Sequence, residues 1–216
     1  IDDKCLCIPN TEFKKNFFSD LEIYSTGYSK YCDMGYGGYG ISKKKFELFK
    51  TKYLKKSEYS LKNKIDKFIS KKKNYTNKEI NWLKNQKINK INFYIKSIEK
   101  LKNKVNRHKK KINLIYNQKI PSEIILDKNT NIWRFNILIN KKETLLKEIF
   151  ISGLFASSHF YPSSKLFENE NKTYSDILSK NVVNLFNDLR FSELNAYKIC
   201  EIITKHYQKY GPGKRP

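Results

Sequence analysis

The chain lacks long apolar runs. No stretch of its 216 residues approaches the ~18 consecutive apolar positions of a membrane-spanning helix, so no such span is expected. The opening residues, IDDKCLCIPN, lack a basic segment followed by an apolar one and do not read as a signal peptide. Methionine occurs once, at Met34, and none starts the chain. An apolar residue followed by two acids looks like the end of a buried strand, and the expectation is that an N-terminal part is missing. Arginine is scarce, at positions Arg107, Arg134, Arg190 and Arg215 only. Sequence-specific DNA readers lean on arginine for bidentate base contacts, so this scarcity argues against that class. Cysteine occurs four times, as Cys5, Cys7, Cys32 and Cys200. Cys5-x-Cys7 is too tight for the usual zinc spacing, and no second Cys or His pair completes it, so no metal is expected. The four read as buried, reduced thiols of a cytoplasmic protein.

What is abundant is lysine. Lys and Arg total 44 against 21 acids, a net charge of +23. Such a charge attracts polyanions of any kind. Yet lysine and asparagine spread over most of the chain rather than forming one patch, which favours solvated faces over a nucleic-acid track. Hydrophobic residues at 39% and aromatics at 14% are enough for a real core.

Four segments follow. Residues 1–50 are short apolar runs broken by Pro, Gly and Asp, with Leu21–Tyr24 as a strand and Gly35, Gly37, Gly38 and Gly40 as a tight turn between two strands. Residues 51–118 are Lys-rich and helical. Leu61, Ile65, Phe68 and Ile69 mark a short helix, Thr76 and Glu79 fit a capping box, and apolar residues then recur at steps of three and four from Ile80 to Ile115. His108 reads as structural or exposed. Residues 119–210 mix strands and helices: Pro121 ends the helical region, Ile132–Ile139 is a strand, and Lys141–Ile151 is a helix. Gly153–Phe160 is extended, Asn181–Phe186 is a strand, and a last helix over Ser192–Tyr207 has Ser192 as N-cap. A strand arginine such as Arg134 is expected to pair with an acid. Residues 211–216 read as a disordered tail. The alternation gives α/β text with a small α+β piece at the end.

Chemistry gathers between Asp20 and Gly40. A strand delivers Ser25 at its end, Lys30 follows on the connection, and glycines come after it. A hydroxyl and backbone amides near a strand end can hold a phosphate. A nearby lysine can attack an aldehyde if its amine is partly deprotonated. Upstream, Asp2 or Asp3 closes another strand, where a carboxylate could pair with a protonated pyridine nitrogen.

With Asp20, Ser25, Lys30, Gly35, Gly37 and Gly38 in register, the segment resembles that of the DegT/StrS-type sugar aminotransferases, of the aspartate-aminotransferase fold. The resemblance covers about forty residues at the front and, more softly, about ninety at the back. It implies an α/β chain made of part of a fold-type-I large domain that binds pyridoxal 5′-phosphate, a long interdomain helix and a small α+β C-terminal domain. It implies Lys30 as the lysine that carries pyridoxal 5′-phosphate, Asp3 at the pyridine nitrogen with its neighbour Asp2 as the alternative, and Ser25 at the phosphate. His159 and Tyr161 fall on the substrate loop. It further implies a homodimer that takes an amino-acid donor and a nucleotide-sugar substrate in cell-surface polysaccharide or related sugar biosynthesis. Two positions depart from the pattern: Leu6 stands where a Gln or His is usual, and Gly27 where a His is usual. The alternative is a non-enzymatic basic helical protein that binds nucleic acid or another polyanion.

Overall fold

The computed structural model describes residues 1–12, 19–35, 37–44, 91–127, 133–159 and 174–214. Two compact units divide the chain, Ile1–Lys43 with Ile95–Pro216, and Lys44–Tyr94. Of the second unit only Lys44 and the helical residues 91–94 fall among the described residues, so the capping box at Thr76, the helix near Leu61 and the start of the long helix lie outside them. Everything below concerns the first unit.

Its first sheet has the order β1-β2-β3, with β1 at Asp2–Asp3, β2 at Leu21–Ser25 and β3 at Gly38–Ser42. β1 runs parallel to β2, with Asp3 opposite Ile23, and β3 runs antiparallel, with Ser25 opposite Gly38. The period-two alternation of β2 buries Glu22 and Tyr24. Tyr24 stacks on its cross-strand partner Tyr39 at 5.1 Å, and its hydroxyl donates to Glu22 at 2.7 Å. Lys4 supplies the opposite charge to Glu22. Gly38 and Gly40 lie inside β3 rather than in a tight turn, because the connection runs from Thr26 to Gly37. Gly38 is there for clearance: a Cβ on it would meet the Tyr24 carbonyl oxygen at 2.8 Å.

The helix α1 spans Ile91–Lys119. Ile98, Val105, Ile112, Ile115 and Tyr116 are buried along one stripe, and Lys96, Lys100, Lys104, Arg107 and Lys111 are exposed along another. Pro121 follows one residue after the helix closes, and a 3-10 turn occupies Ser122–Ile124.

The second sheet is antiparallel, in the order β4-β6-β5, with β4 at Phe135–Leu138, β5 at Ala156–Ser157 and β6 at Val182–Leu185. The central strand β6 is buried at all four positions, as its ValValAsnLeu sequence suits. Three helices accompany it: α2 (Lys142–Ile151), α3 (Tyr174–Asn181) and α4 (Glu193–Tyr210). Ile112 and Tyr116 of α1, Leu145 and Ile149 of α2, and Ile199 and Ile203 of α4 close on this sheet in one core. Ser192 caps α4 by accepting the Asn195 amide. His206 ties α4 to α2, with Nδ1 2.9 Å from Glu148 Oε2 and Nε2 2.9 Å from the Asn140 carbonyl.

Several expectations are corrected. The strand expected from Ile132 begins at Phe135, since Trp133 and Arg134 sit on bends and turn to side-chain contacts instead. Extended backbone after Gly153 reduces to a two-residue strand, and α3 has too short a periodic pattern to be anticipated. The tail is ordered as far as Lys214: Pro212 bridges Ile139, and the Gly213 amide donates to the Leu138 carbonyl at 3.2 Å. Cys32 and Cys200 are buried, whereas Cys7 is exposed and Cys5 half-buried. Among the described residues no helix is long and apolar enough to cross a membrane.

Candidate functional site

Lys30 sits half-buried on the connection between β2 and β3. Backbone bonds close the neck of that loop: the Thr26 amide donates to Gly37 at 3.1 Å, and the Thr26 carbonyl accepts from Met34 at 2.9 Å. Inside it, Asp33 accepts the Ser29 amide through Oδ2 at 3.0 Å and the Gly35 amide through Oδ1 at 2.9 Å. Ser29 (φ 59°) and Gly35 (φ 76°) both take left-handed conformations that this turn requires. Next to Lys30, Tyr31 and Cys32 go down into a small cluster with Leu101 and Val105 of α1, and the Tyr31 hydroxyl donates to Asn106 at 2.8 Å. Anchoring its neighbours leaves Lys30 at the rim.

Asp3 lies at the end of the adjacent β1. Hydrogen bonding from Cys5, whose amide donates to Oδ1 at 2.9 Å, and the nearby Lys30 charge hold the Asp3 carboxyl below the usual range. Asp2 is placed differently, because successive residues of a strand face opposite ways. Its carboxylate pairs with Lys4 at 3.3 Å, on the side of Glu22. Ser25 closes β2, and its Oγ accepts the Gly27 amide at 3.4 Å. Gly27 is not demanded by space, since a Cβ there would meet only Ser25 Oγ at 3.6 Å. Leu6 is 39% exposed, so it serves no core.

His159 follows β5 and is exposed. Its ring lies 5.4 Å from that of Trp133, and burial against that wall together with the Arg134 charge lowers its pKa. The indole of Trp133 donates to the Ser29 carbonyl, so one side chain touches both His159 and the loop of Lys30. Tyr161 lies outside the described residues. His108 is structural, its Nε2 3.0 Å from the Phe191 carbonyl.

Sequence reasoning missed the ionic ladder that fastens this loop to the second sheet. Arg134 pairs with Asp188 at 3.2 Å, Asp188 with Arg190 at 3.3 Å, and Arg190 with Asp33 at 3.2 Å. Arg134 is 2% exposed and its guanidinium also lies over the Phe186 ring at 3.9 Å. Lys109 is the other omission. Only 1% exposed, it donates to the Trp133 carbonyl at 2.8 Å and to Asn187 at 2.5 Å, with the Tyr31 ring 4.8 Å away. Burial, helped by the Arg134 charge, pushes its amine down to about 7. Nothing sets Lys109 apart in a lysine-rich sequence. Asp33 did carry a signal, as an Asp two residues before a glycine in a turn.

No protein-family model and no curated protein matches the sequence. Solved structures match its fold. Helicobacter pylori PseC, an aminotransferase involved in the biosynthesis of pseudoaminic acid, aligns at a TM-score of 0.57 and 15% identity over 94% of this chain and 57% of its own. A DegT DnrJ EryC1 StrS aminotransferase from Brucella abortus aligns at 0.50 and 13%, over 87% of this chain and 51% of its own. DesI, solved in the presence of its TDP-sugar product, aligns at 0.51 and 9%, over 85% and 48%. The chain thus has the fold of one part of the DegT/StrS-type aminotransferases, and spans about half the length of the structures it matches.

Proposed function

We propose that the chain is the lysine-bearing part of a pyridoxal 5′-phosphate-dependent aminotransferase that delivers an amino group to a nucleotide-linked keto-sugar. The observation that carries this reading is the placement of Asp3 and Lys30, brought from separate elements to the same rim, close enough for the lysine charge to act on the carboxyl. The donor set fits the cofactor: an ionised carboxylate for a pyridinium nitrogen, an amine for an aldehyde, and the Ser25 hydroxyl for a phosphate. When bound, the cofactor supplies an electron sink for the charge left on the donor's Cα. Lys30 holds it between turnovers and, once released, carries the proton taken from the donor's Cα. Asp3, rather than Asp2, keeps the pyridine nitrogen protonated, since Asp2 is occupied by Lys4. His159 and Tyr161 contact the sugar substrate. The half of the fold that the matched structures have and this chain does not span supplies the rest of the site. The assembly is a cytoplasmic homodimer serving cell-surface polysaccharide or related sugar biosynthesis. In domain terms, residues 1–50 belong to the large domain, 51–118 form the Lys-rich interdomain segment and 119–210 the small domain.

The test is borohydride reduction of the chain mixed with pyridoxal 5′-phosphate, followed by peptide mass spectrometry. A label concentrated at Lys30 and weakened in Asp3→Ala supports the reading. A label spread evenly over surface lysines sinks it.

A second reading rests on the exposed stripe of Lys96, Lys100, Lys104, Arg107 and Lys111 along α1, which is the geometry of a polyanion contact. Steep salt-dependent binding to DNA without any trapping at Lys30 would favour it.

A further inference from the structure

A second concave surface lies away from Lys30. It is a groove of about 780 Å³ at the edge of the second sheet, between β5 and the helices α2 and α3. One end is polar. The first turn of α2 opens there, with Lys141, Lys142 and Thr144 on the wall and no side chain capping the helix. The first amides of a helix have no partner within it, and they carry the positive end of its dipole. Lys142 is 14% exposed in its side chain, and its ammonium donates to Ser158 Oγ at 2.8 Å and to the Ser179 carbonyl, both neutral groups. Lys180 stands on the α3 side. Three lysines face two acids, Glu143 and Asp176, and the Glu143 carboxylate is 77% exposed and 4.0 Å from Lys142.

Ser157 is an independent pointer. It belongs to the groove wall and is 8% exposed, yet its Oγ has no hydrogen-bond partner. A buried hydroxyl without a partner is a cost that a bound acceptor would relieve. The far end is apolar: Phe150 and Phe155 meet edge to face at 5.1 Å and are 55% and 45% exposed. From the α2 N-terminus to Phe150 the helix rises about 12 Å, the reach of a phosphorylated ribose with its base.

We propose that this groove binds a phosphate monoester carrying a flat ring, of the mononucleotide class. The phosphate sits at the N-terminus of α2 between Lys142 and Ser157, and the ring lies on Phe150 and Phe155. A phosphate offers enough acceptor oxygens to take the helix amides, an ammonium and a hydroxyl together. The site does not depend on the aminotransferase reading, and failure to trap a cofactor at Lys30 leaves it standing.

Calorimetric titration of the full chain with inorganic phosphate, ribose 5-phosphate and uridine 5′-monophosphate tests it. The expected order of affinity is the nucleotide, then the sugar phosphate, then phosphate. Lys142→Gln and Ser157→Ala should each weaken nucleotide binding about tenfold. Phe155→Ala should weaken the nucleotide alone, down to the level of the sugar phosphate. Ser157→Ala removes a buried hydroxyl that lacks a partner, so it should fold at least as well as the parent, and its loss of binding cannot be put down to unfolding. Lys100→Gln, an equal charge change on α1, is the control and should leave binding unchanged. Equal losses in Lys100→Gln and Lys142→Gln would mean diffuse attraction to a basic protein and overturn the proposal. Absence of binding, or equal affinity for all three ligands, overturns it too.

Discussion

Asp33 Oδ2 lies 3.2 Å from Nη2 of Arg190, while the same carboxylate accepts the amides of Ser29 and Gly35. One side chain therefore shapes the loop of Lys30 and fastens it to the turn between β6 and α4. Loss of two amide partners should open the loop by about 1–3 kcal/mol. Asp33→Ala should accordingly speed hydrogen exchange at residues 29–35 tenfold or more. Arg190→Ala should do much less, since its side chain is 62% exposed and such pairs contribute about 1 kcal/mol at most. Unchanged exchange in Asp33→Ala would refute this account of the loop.

Lys109 predicts an alkaline gain in stability. Its amine is at about 7 in the folded chain, against 10.5 for a free lysine. Between those values the unfolded chain binds the extra proton, so stability rises with pH, by up to about 1.4 kcal/mol per pH unit. The buried thiols act in the other direction. Burial raises Cys32 to about 11 and Cys200 to about 12 from 9.0, so above pH 9 the unfolded chain loses protons first and stability falls. Urea midpoints should climb between pH 7 and pH 9. In Lys109→Met that climb should flatten, whatever the variant's absolute stability. A parent chain with flat midpoints across the window would show that Lys109 is not buried as described.

Two glycines that look alike in sequence should respond differently. Gly38→Ala drives a Cβ to 2.8 Å from the Tyr24 carbonyl and should cost about 1–3 kcal/mol. Gly27→Ala meets only ordinary contact, at 3.6 Å from Ser25 Oγ, and should lie within about 0.5 kcal/mol of the parent. Chemical denaturation of the pair, compared directly, reads the difference. Gly27→His should fold for the same reason.

Ser192→Ala removes the cap of α4, leaving the Asn195 amide without its acceptor. A loss of about 1 kcal/mol is expected in thermal unfolding. No change in midpoint would mean that the cap contributes nothing to the packing of α4 on α2.

What was legible in the sequence follows from how local each signal is. The strand at Leu21, the end of α1 before Pro121, α2 and the Ser192 cap each depend on a few neighbouring residues, and all were read correctly. The pairing of Arg134 with an acid was anticipated, but not that Asp188 would be the acid, because the partner lies 54 positions away. Lys109 and the ladder from Arg134 to Asp33 depend on contacts between segments and leave no periodic trace. The choice between Asp2 and Asp3 could not be made from two adjacent acids. It needed the register of β1 and the position of Lys4. Gly38 and Gly40 misled because glycine marks close backbone approach within a strand as readily as it marks a turn.

The last residues of the second sheet have a bearing on solubility. β4 is an outer strand of the order β4-β6-β5, and outer strands recruit other chains through unpaired backbone groups. Here Ile125 bridges Ile137, and Pro212 bridges Ile139 while the Gly213 amide takes the Leu138 carbonyl. A short segment ending in a residue with no amide to offer thus covers the open side of β4 and ends the ladder there. The stretch after Tyr210 acts as a guard against self-association, and a chain shortened at that point would expose an edge that aggregates.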